Sequence, residues 1–68
     1  MIKNPLTLKT GDILTTPNGR FAEIISINKI KGCKEFKIKI INDPYKTERV
    51  LKSTYLKMGP WEKWTQTN

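Results

Sequence analysis

Five lysines, Lys29, Lys31, Lys34, Lys37 and Lys39, fall within eleven residues of this 68-residue chain. Side chains two apart on an extended strand share a face at about 6.6–6.8 Å. For Lys37 and Lys39 that is close to the spacing of successive phosphates along one strand of nucleic acid. Such a row can follow a phosphate backbone without reading bases. Glu35 shares the face and works against it. The competing reading is a solvated strand edge, where lysine is the ordinary guard against edge-to-edge pairing.

Two arginines stand out in a lysine-biased chain. Arg20 follows an Asn-Gly turn and Arg49 lies in a short apolar run, each a candidate for bidentate contact with phosphate or carboxylate. Surface ion pairs with Glu23 and Glu48 are the alternative. Four aromatic side chains complete the candidates. Tyr45 falls in a loop and can stack on a base, whereas Tyr55 is expected to pack against the body of the protein. Trp61 and Trp64 differ in parity, so on a regular strand one of them must be largely exposed, as a stacking platform, an interface anchor or a cap over the end of the fold.

What is missing narrows the chemistry. The chain has no histidine and a single cysteine, Cys33, which removes the usual general base, the commonest metal ligand and any intrachain disulfide. Its six carboxylates never form a close pair, and its four glycines stand apart, so no phosphate-cradling loop is encoded. So small a domain has little volume in which to shield a reaction. A non-catalytic role without cofactor or metal is expected.

Thirteen basic residues against six acidic ones leave a net charge of +7. A field of that sign attracts nucleic acid and other acidic partners. Part of the basicity also follows from a lysine-, isoleucine- and asparagine-rich composition, which AT-rich coding favours. No apolar run approaches the roughly 18 residues of a membrane span, and the opening MIKNPLTLKTGD has no apolar core of the kind a secretory signal carries. A cytoplasmic location is expected.

The elements that must position these residues are strands. A single domain over 1–68 is expected, with its core in about 8–64, a lead-in over MIKNPLTLKT and a frayed tail from Thr65. Gly11-Asp12 opens a first strand to Thr16, and Pro17-Asn18-Gly19 turns the chain into a second, Arg20 to Ile30. In that second strand the apolar parity changes, from Ala22 and Ile24 to Ile25 and Ile27. Parity can change only at a bulge or sharp bend, which is expected near Ile24–Ser26. Lys31-Gly32-Cys33-Lys34 turns into a third strand with Phe36, Ile38 and Ile40 inward. A fourth runs from Thr47 to Lys52. One turn of 3-10 helix is expected over Ser53–Leu56, then a short last segment around Trp61–Trp64.

Five short strands, one of them bent, with a 3-10 turn before the last, predict an all-β fold: a small five-stranded SH3-like partly open barrel. A five-stranded OB-type barrel has similar length, but its row of exposed strand aromatics is absent. The run LKTGDILTTPNGRFAEIISI, with EFKIKIIND and ERVLKSTYLKMG after it, resembles small SH3-like modules of the KOW and Tudor type. It is also similar to short modules that accompany HNH-type endonuclease domains in phage and mobile-element proteins. The shared pattern is Gly11-Asp12 before strand one, Asn18-Gly19-Arg20 at the first hairpin and hydrophobic–lysine alternation in strand three, over about residues 8–59. The resemblance implies contact with nucleic acid or ribonucleoprotein.

Two functions are therefore expected to compete. One is a nucleic-acid-binding accessory module, for DNA or RNA, using Lys29, Lys31, Lys34, Lys37, Lys39, Arg20, Arg49, Tyr45, Trp61 and Trp64. The other is a small phage-type regulator or inhibitor that docks on an acidic surface of a protein partner such as a nucleic-acid enzyme.

Overall fold

A computed structural model describes residues 2–64 of the chain; the expected tail from Thr65 lies outside them. Five strands run antiparallel in one open sheet: β1 (Ile13–Thr15), β2 (Phe21–Ile30), β3 (Cys33–Ile40), β4 (Glu48–Lys52) and β5 (Glu62–Lys63). Their order is β4-β3-β2-β1-β5, so β4 and β5 are the edges. The all-β expectation therefore holds in its coarse form, with one short helix added.

The parity argument locates the bend. Ile24 pairs with Ile38 but Ser26 pairs with Lys37, leaving Ile25 as the extra residue of a bulge. Up to that point β2 is held on both sides. The Ile24 N–H donates to the Asp12 carbonyl at 3.0 Å, and the Gly11 N–H donates to the Ile24 carbonyl at 2.8 Å. Beyond it, β2 pairs with β3 alone. The bulge shifts the inward phase from Ala22 and Ile24, both fully buried, to the half-buried Ile27.

The turn at the far end of this hairpin is tighter than the sequence implies. Ile30 pairs with Cys33, so the loop is Lys31-Gly32 only and Cys33 and Lys34 belong to β3. Gly32 has φ +83°, a conformation that costs a side-chain-bearing residue strain in a two-residue hairpin loop.

The expected 3-10 turn before the last strand is instead an α-helix, α1 (Ser53–Met58). Ser53 and Leu56 are both buried, one helical turn apart. Lys57 and Met58 carry the helix on until Gly59, whose N–H closes an i→i−4 bond on the Tyr55 carbonyl at 2.6 Å. Pro60, with no N–H to give, cannot continue it. A three-residue 3-10 turn does occur, but at Pro5–Thr7 in the lead-in. It buries Pro5 and Leu8 and leaves Leu6 exposed.

One face of the sheet carries the core. Leu14, Ala22, Ile24, Phe36, Ile38 and Ile40 point to it, and Ile2, Leu8, Leu56 and Trp61 cover it from the lead-in, the helix and the C-terminal segment. The Ile2 N–H donates to the Leu56 carbonyl at 3.0 Å, tying the lead-in to the helix. No helix among the described residues is long and apolar enough to cross a membrane.

Candidate functional site

Directly paired residues of adjacent strands project to the same face, so the register decides the surroundings of every basic side chain. On the outer face, Lys39 lies between Glu23 of β2 and Glu48 of β4. Lys37 lies between Ser26 and Val50, and Glu35 between Asn28 and Lys52. Lys37, Lys39 and Lys52 are thus interleaved with Glu23, Glu35 and Glu48. The Lys37 ammonium reaches the Glu48 carboxylate at 3.4 Å. An exposed pair of this kind contributes about 0–1 kcal/mol to stability, but it also cancels the charge a phosphate would seek. The expected lysine row exists as a row, on a face whose charges balance.

Lys29, Lys31 and Lys34 collect at the tip of the β2–β3 hairpin. Lys29 and Lys34 are direct cross-strand partners, and like charges so placed repel. Lys31 stands exposed in the turn between them. The Lys34 backbone N–H donates to Ser53 Oγ at 3.3 Å, fixing the tip against the start of α1.

The two arginines meet at the other end of the core face. Arg49 pairs with Ile38, so it projects to the core side of β4, beyond the apolar cluster. Arg20 immediately precedes β2 in the same phase as Ala22. Both line two cavities of about 370 and 160 Å³ that share Asn18, Arg20 and Arg49 as a common wall. The larger extends over Ile40, Asn42, Asp43 and Thr47; the smaller is closed by Tyr55, Pro60 and Trp61. Neither guanidinium makes an ion pair or side-chain hydrogen bond with a described residue. The expected partners are out of reach for a simple reason. Glu48 and Arg49 are neighbours on a strand and face opposite ways, and Glu23 likewise lies on the outer face.

The backbone around Arg20 is unusually well fixed. Thr16 and Arg20 close the β1–β2 turn through the Thr16 N–H to the Arg20 carbonyl at 3.1 Å. Thr16 Oγ1 accepts the Arg20 N–H at 3.2 Å and is also bonded to the Asn18 side chain. Asn42 then clamps the arginine from both sides. Its Nδ2 donates to the Gly19 carbonyl at 2.7 Å, and its Oδ1 accepts the Phe21 N–H at 2.9 Å. The neighbouring Asp43 carboxylate accepts the Thr47 hydroxyl at 2.6 Å and the backbone N–H groups of Tyr45 and Thr47. The Thr47 hydroxyl, then the Tyr45 N–H, hold its pKa below the ordinary aspartate value, with a further contribution from the nearby Arg20 charge. Asp43 is therefore a fixed negative charge at one end of the groove.

The aromatic candidates separate. Trp61 is buried and forms part of the smaller cavity's wall. Trp64 sits on the outer face, its ring edge-on to Phe21 with centroids 6.1 Å apart. One buried and one exposed tryptophan is the outcome their parity required. Tyr45 is 87% exposed at the tip of the β3–β4 loop. Tyr55, expected to pack, does so only in part: a Cβ on Gly59 would lie 3.0 Å from its ring, yet 44% of the residue is exposed.

Asn18, Asn42, Asp43, Thr47 and Pro60 enter the site without having been singled out in the sequence. Asn42 and Asp43 are turn-forming residue types; Asp43 bonds locally to Tyr45 and Thr47, and the Asn42 hydrogen bonds to a hairpin about twenty residues earlier depend on tertiary register. Among the described residues no three histidine, cysteine, aspartate or glutamate side chains gather as a metal-sized cluster. Comparison with protein-family models, curated proteins and solved structures found no match to this chain.

Proposed function

We propose that this chain is a non-catalytic, SH3-like barrel module of the cytoplasm that binds nucleic acid through its phosphates. The barrel reading is supported by the strand order, the bulge that bends β2, and the return of β5 onto β1 after a short helix. The observation that carries the binding reading is the pair of arginines, Arg20 and Arg49, which line one groove and form no ion pair among the described residues. The lysines of the hairpin tip extend the positive surface. Lys37 and Lys39 contribute little, because Glu23, Glu35 and Glu48 are interleaved with them. The test is a salt series of binding to a labelled oligonucleotide. A log–log slope near −0.7 to −0.9 per phosphate contacted, and a total reflecting several phosphates, is expected; no binding at low salt, or a slope near zero, refutes the reading.

A second reading has an observation of its own. Val50, Tyr55 and Met58 are exposed beside Arg49 and Lys52 along the free edge of β4. An apolar patch with a basic rim suits a small regulator that docks on an acidic protein, such as a nucleic-acid enzyme. It predicts a stoichiometric complex that survives nuclease treatment and is lost on Val50→Asp or Met58→Asp.

A further inference from the structure

We infer that the groove takes a single-stranded segment, with a phosphodiester between Arg20 and Arg49 and an adjoining base stacked on Tyr55. This deepens the phosphate-binding reading and rests on it. Two features of the groove point to a single strand rather than a duplex, and a third places the phosphate.

The first is a ring held ready for stacking. Tyr55 lies against the bare backbone of Gly59, where an added Cβ would sit 3.0 Å from Cε2 and Cζ. Gly59 has φ −80°, which any residue adopts, so glycine is required here for space and not for backbone conformation. The ring is thus supported from beneath by main chain while the residue stays 44% exposed. An aromatic side chain with one supported side and one open side is the geometry on which an unpaired base stacks.

The second is adjacency. Tyr55 shares one cavity of about 160 Å³ with Arg20, Arg49, Pro60 and Trp61. Cation and ring belong to the same concave surface, as a nucleotide's own phosphate and base require. A duplex keeps its bases stacked inside and offers only its backbone to such a recess.

The third is polarity along the groove. Asp43, near Arg20, lines the larger cavity, whereas the smaller cavity beside Tyr55 has no carboxylate in its lining. Phosphate is repelled from the Asp43 side and drawn to the arginine–tyrosine end.

The test is fluorescence anisotropy with a labelled twelve-nucleotide oligothymidylate and a labelled twelve-base-pair duplex, against wild type, Tyr55→Leu and Tyr55→Phe. Tyr55→Leu is expected to weaken oligothymidylate binding about tenfold, a typical loss for one stacked base, and duplex binding less than twofold. Tyr55→Phe, which keeps the ring, restores the single-strand affinity. Thermal melts followed by circular dichroism show that each variant is folded at the assay temperature. Equal losses on both probes, or no loss on the single strand, overturn the stacking inference and leave phosphate binding standing. Failure of wild type to bind either probe at low salt overturns both.

Discussion

The outer face of β3 and the arginine groove are built from the same kind of residue and end with opposite characters. On the outer face, antiparallel pairing sets Lys39 between Glu23 and Glu48 and brings Lys37 to 3.4 Å from Glu48. In the groove, Arg20 and Arg49 come from a turn and an edge strand; among the described residues neither forms an ion pair, and the nearby carboxylate is that of Asp43. Density of positive charge along the sequence therefore does not by itself give the local field. The number of carboxylates that strand register places beside each cation also sets it.

The largest expected effect tests whether the groove depends on the core while the outer face does not. Leu56 is fully buried and anchors α1, which carries Tyr55. Leu56→Ala should destabilise the fold by about 2–5 kcal/mol, the usual cost of such a truncation, measurable by urea denaturation. Under conditions where the variant remains folded, affinity for oligothymidylate should fall too, since the wall that holds Tyr55 loosens. Unchanged stability would mean that the helix is not the support described.

Next in size is the direct comparison of the two regions. Hydrogen bonds to charged groups contribute about 1.5–3 kcal/mol each, so Arg20→Gln with Arg49→Gln should weaken oligonucleotide binding by about a hundredfold. The matched change on the outer face, Lys37→Gln with Lys39→Gln, should alter it by no more than about two- to threefold, the scale of a solvated, screened charge. Equal losses from the two double variants would abolish the distinction.

The outer face can also be made to resemble the groove. Removing the two carboxylates that flank Lys39, with Glu23→Gln and Glu48→Gln, frees Lys39 and releases Lys37 from Glu48. Binding at low salt should then strengthen about two- to fivefold, and the salt slope should steepen by about one to two phosphates' worth. Affinity at high salt should not change. An outer face that gains nothing would show that its lysines are poorly oriented, and not merely neutralised.

Much of the frame was legible in the residues because its signals are local. The parity change between Ile24 and Ile27 can be resolved only by a bulge, and a bulge stands at Ile25. Alternation of Phe36, Ile38 and Ile40 with lysine identifies the buried face of β3. The helix was missed because Ser53–Leu56 is short. What makes it a helix is the burial of Leu56 against elements far away in the chain, together with the Gly59 cap. The site was legible only in its parts. Arg20, Arg49 and Trp61 were candidates, but nothing in their spacing says that they share a cavity. The sequence also hides Asn42, whose amide spans the Gly19 carbonyl and the Phe21 N–H. Such contacts depend on pairing across the sheet, which is why the lysine row stands out in the sequence and the arginine groove only in the fold.

The smallest expected effect concerns pH and the groove. The Asp43 pKa is lowered, chiefly by the Thr47 hydroxyl and then by the Tyr45 N–H. A carboxylate whose folded pKa lies below its unfolded value of about 3.9 stabilises the native state above that pH. The contribution disappears as pH falls through the lowered folded value, because both states are then protonated. Wild type should therefore melt slightly above Asp43→Asn at pH 6 to 7, and the two melting temperatures should converge as the buffer is taken below the lowered folded value. Because the carboxylate is exposed to solvent, the difference is expected to be small and to shrink with added salt. A gap that persists unchanged into acid would mean that Asp43 acts through its shape and hydrogen-bond geometry and not through its charge. Its hydrogen bonds to Thr47 and Tyr45, and not its charge, would then be what steadies the β3–β4 loop.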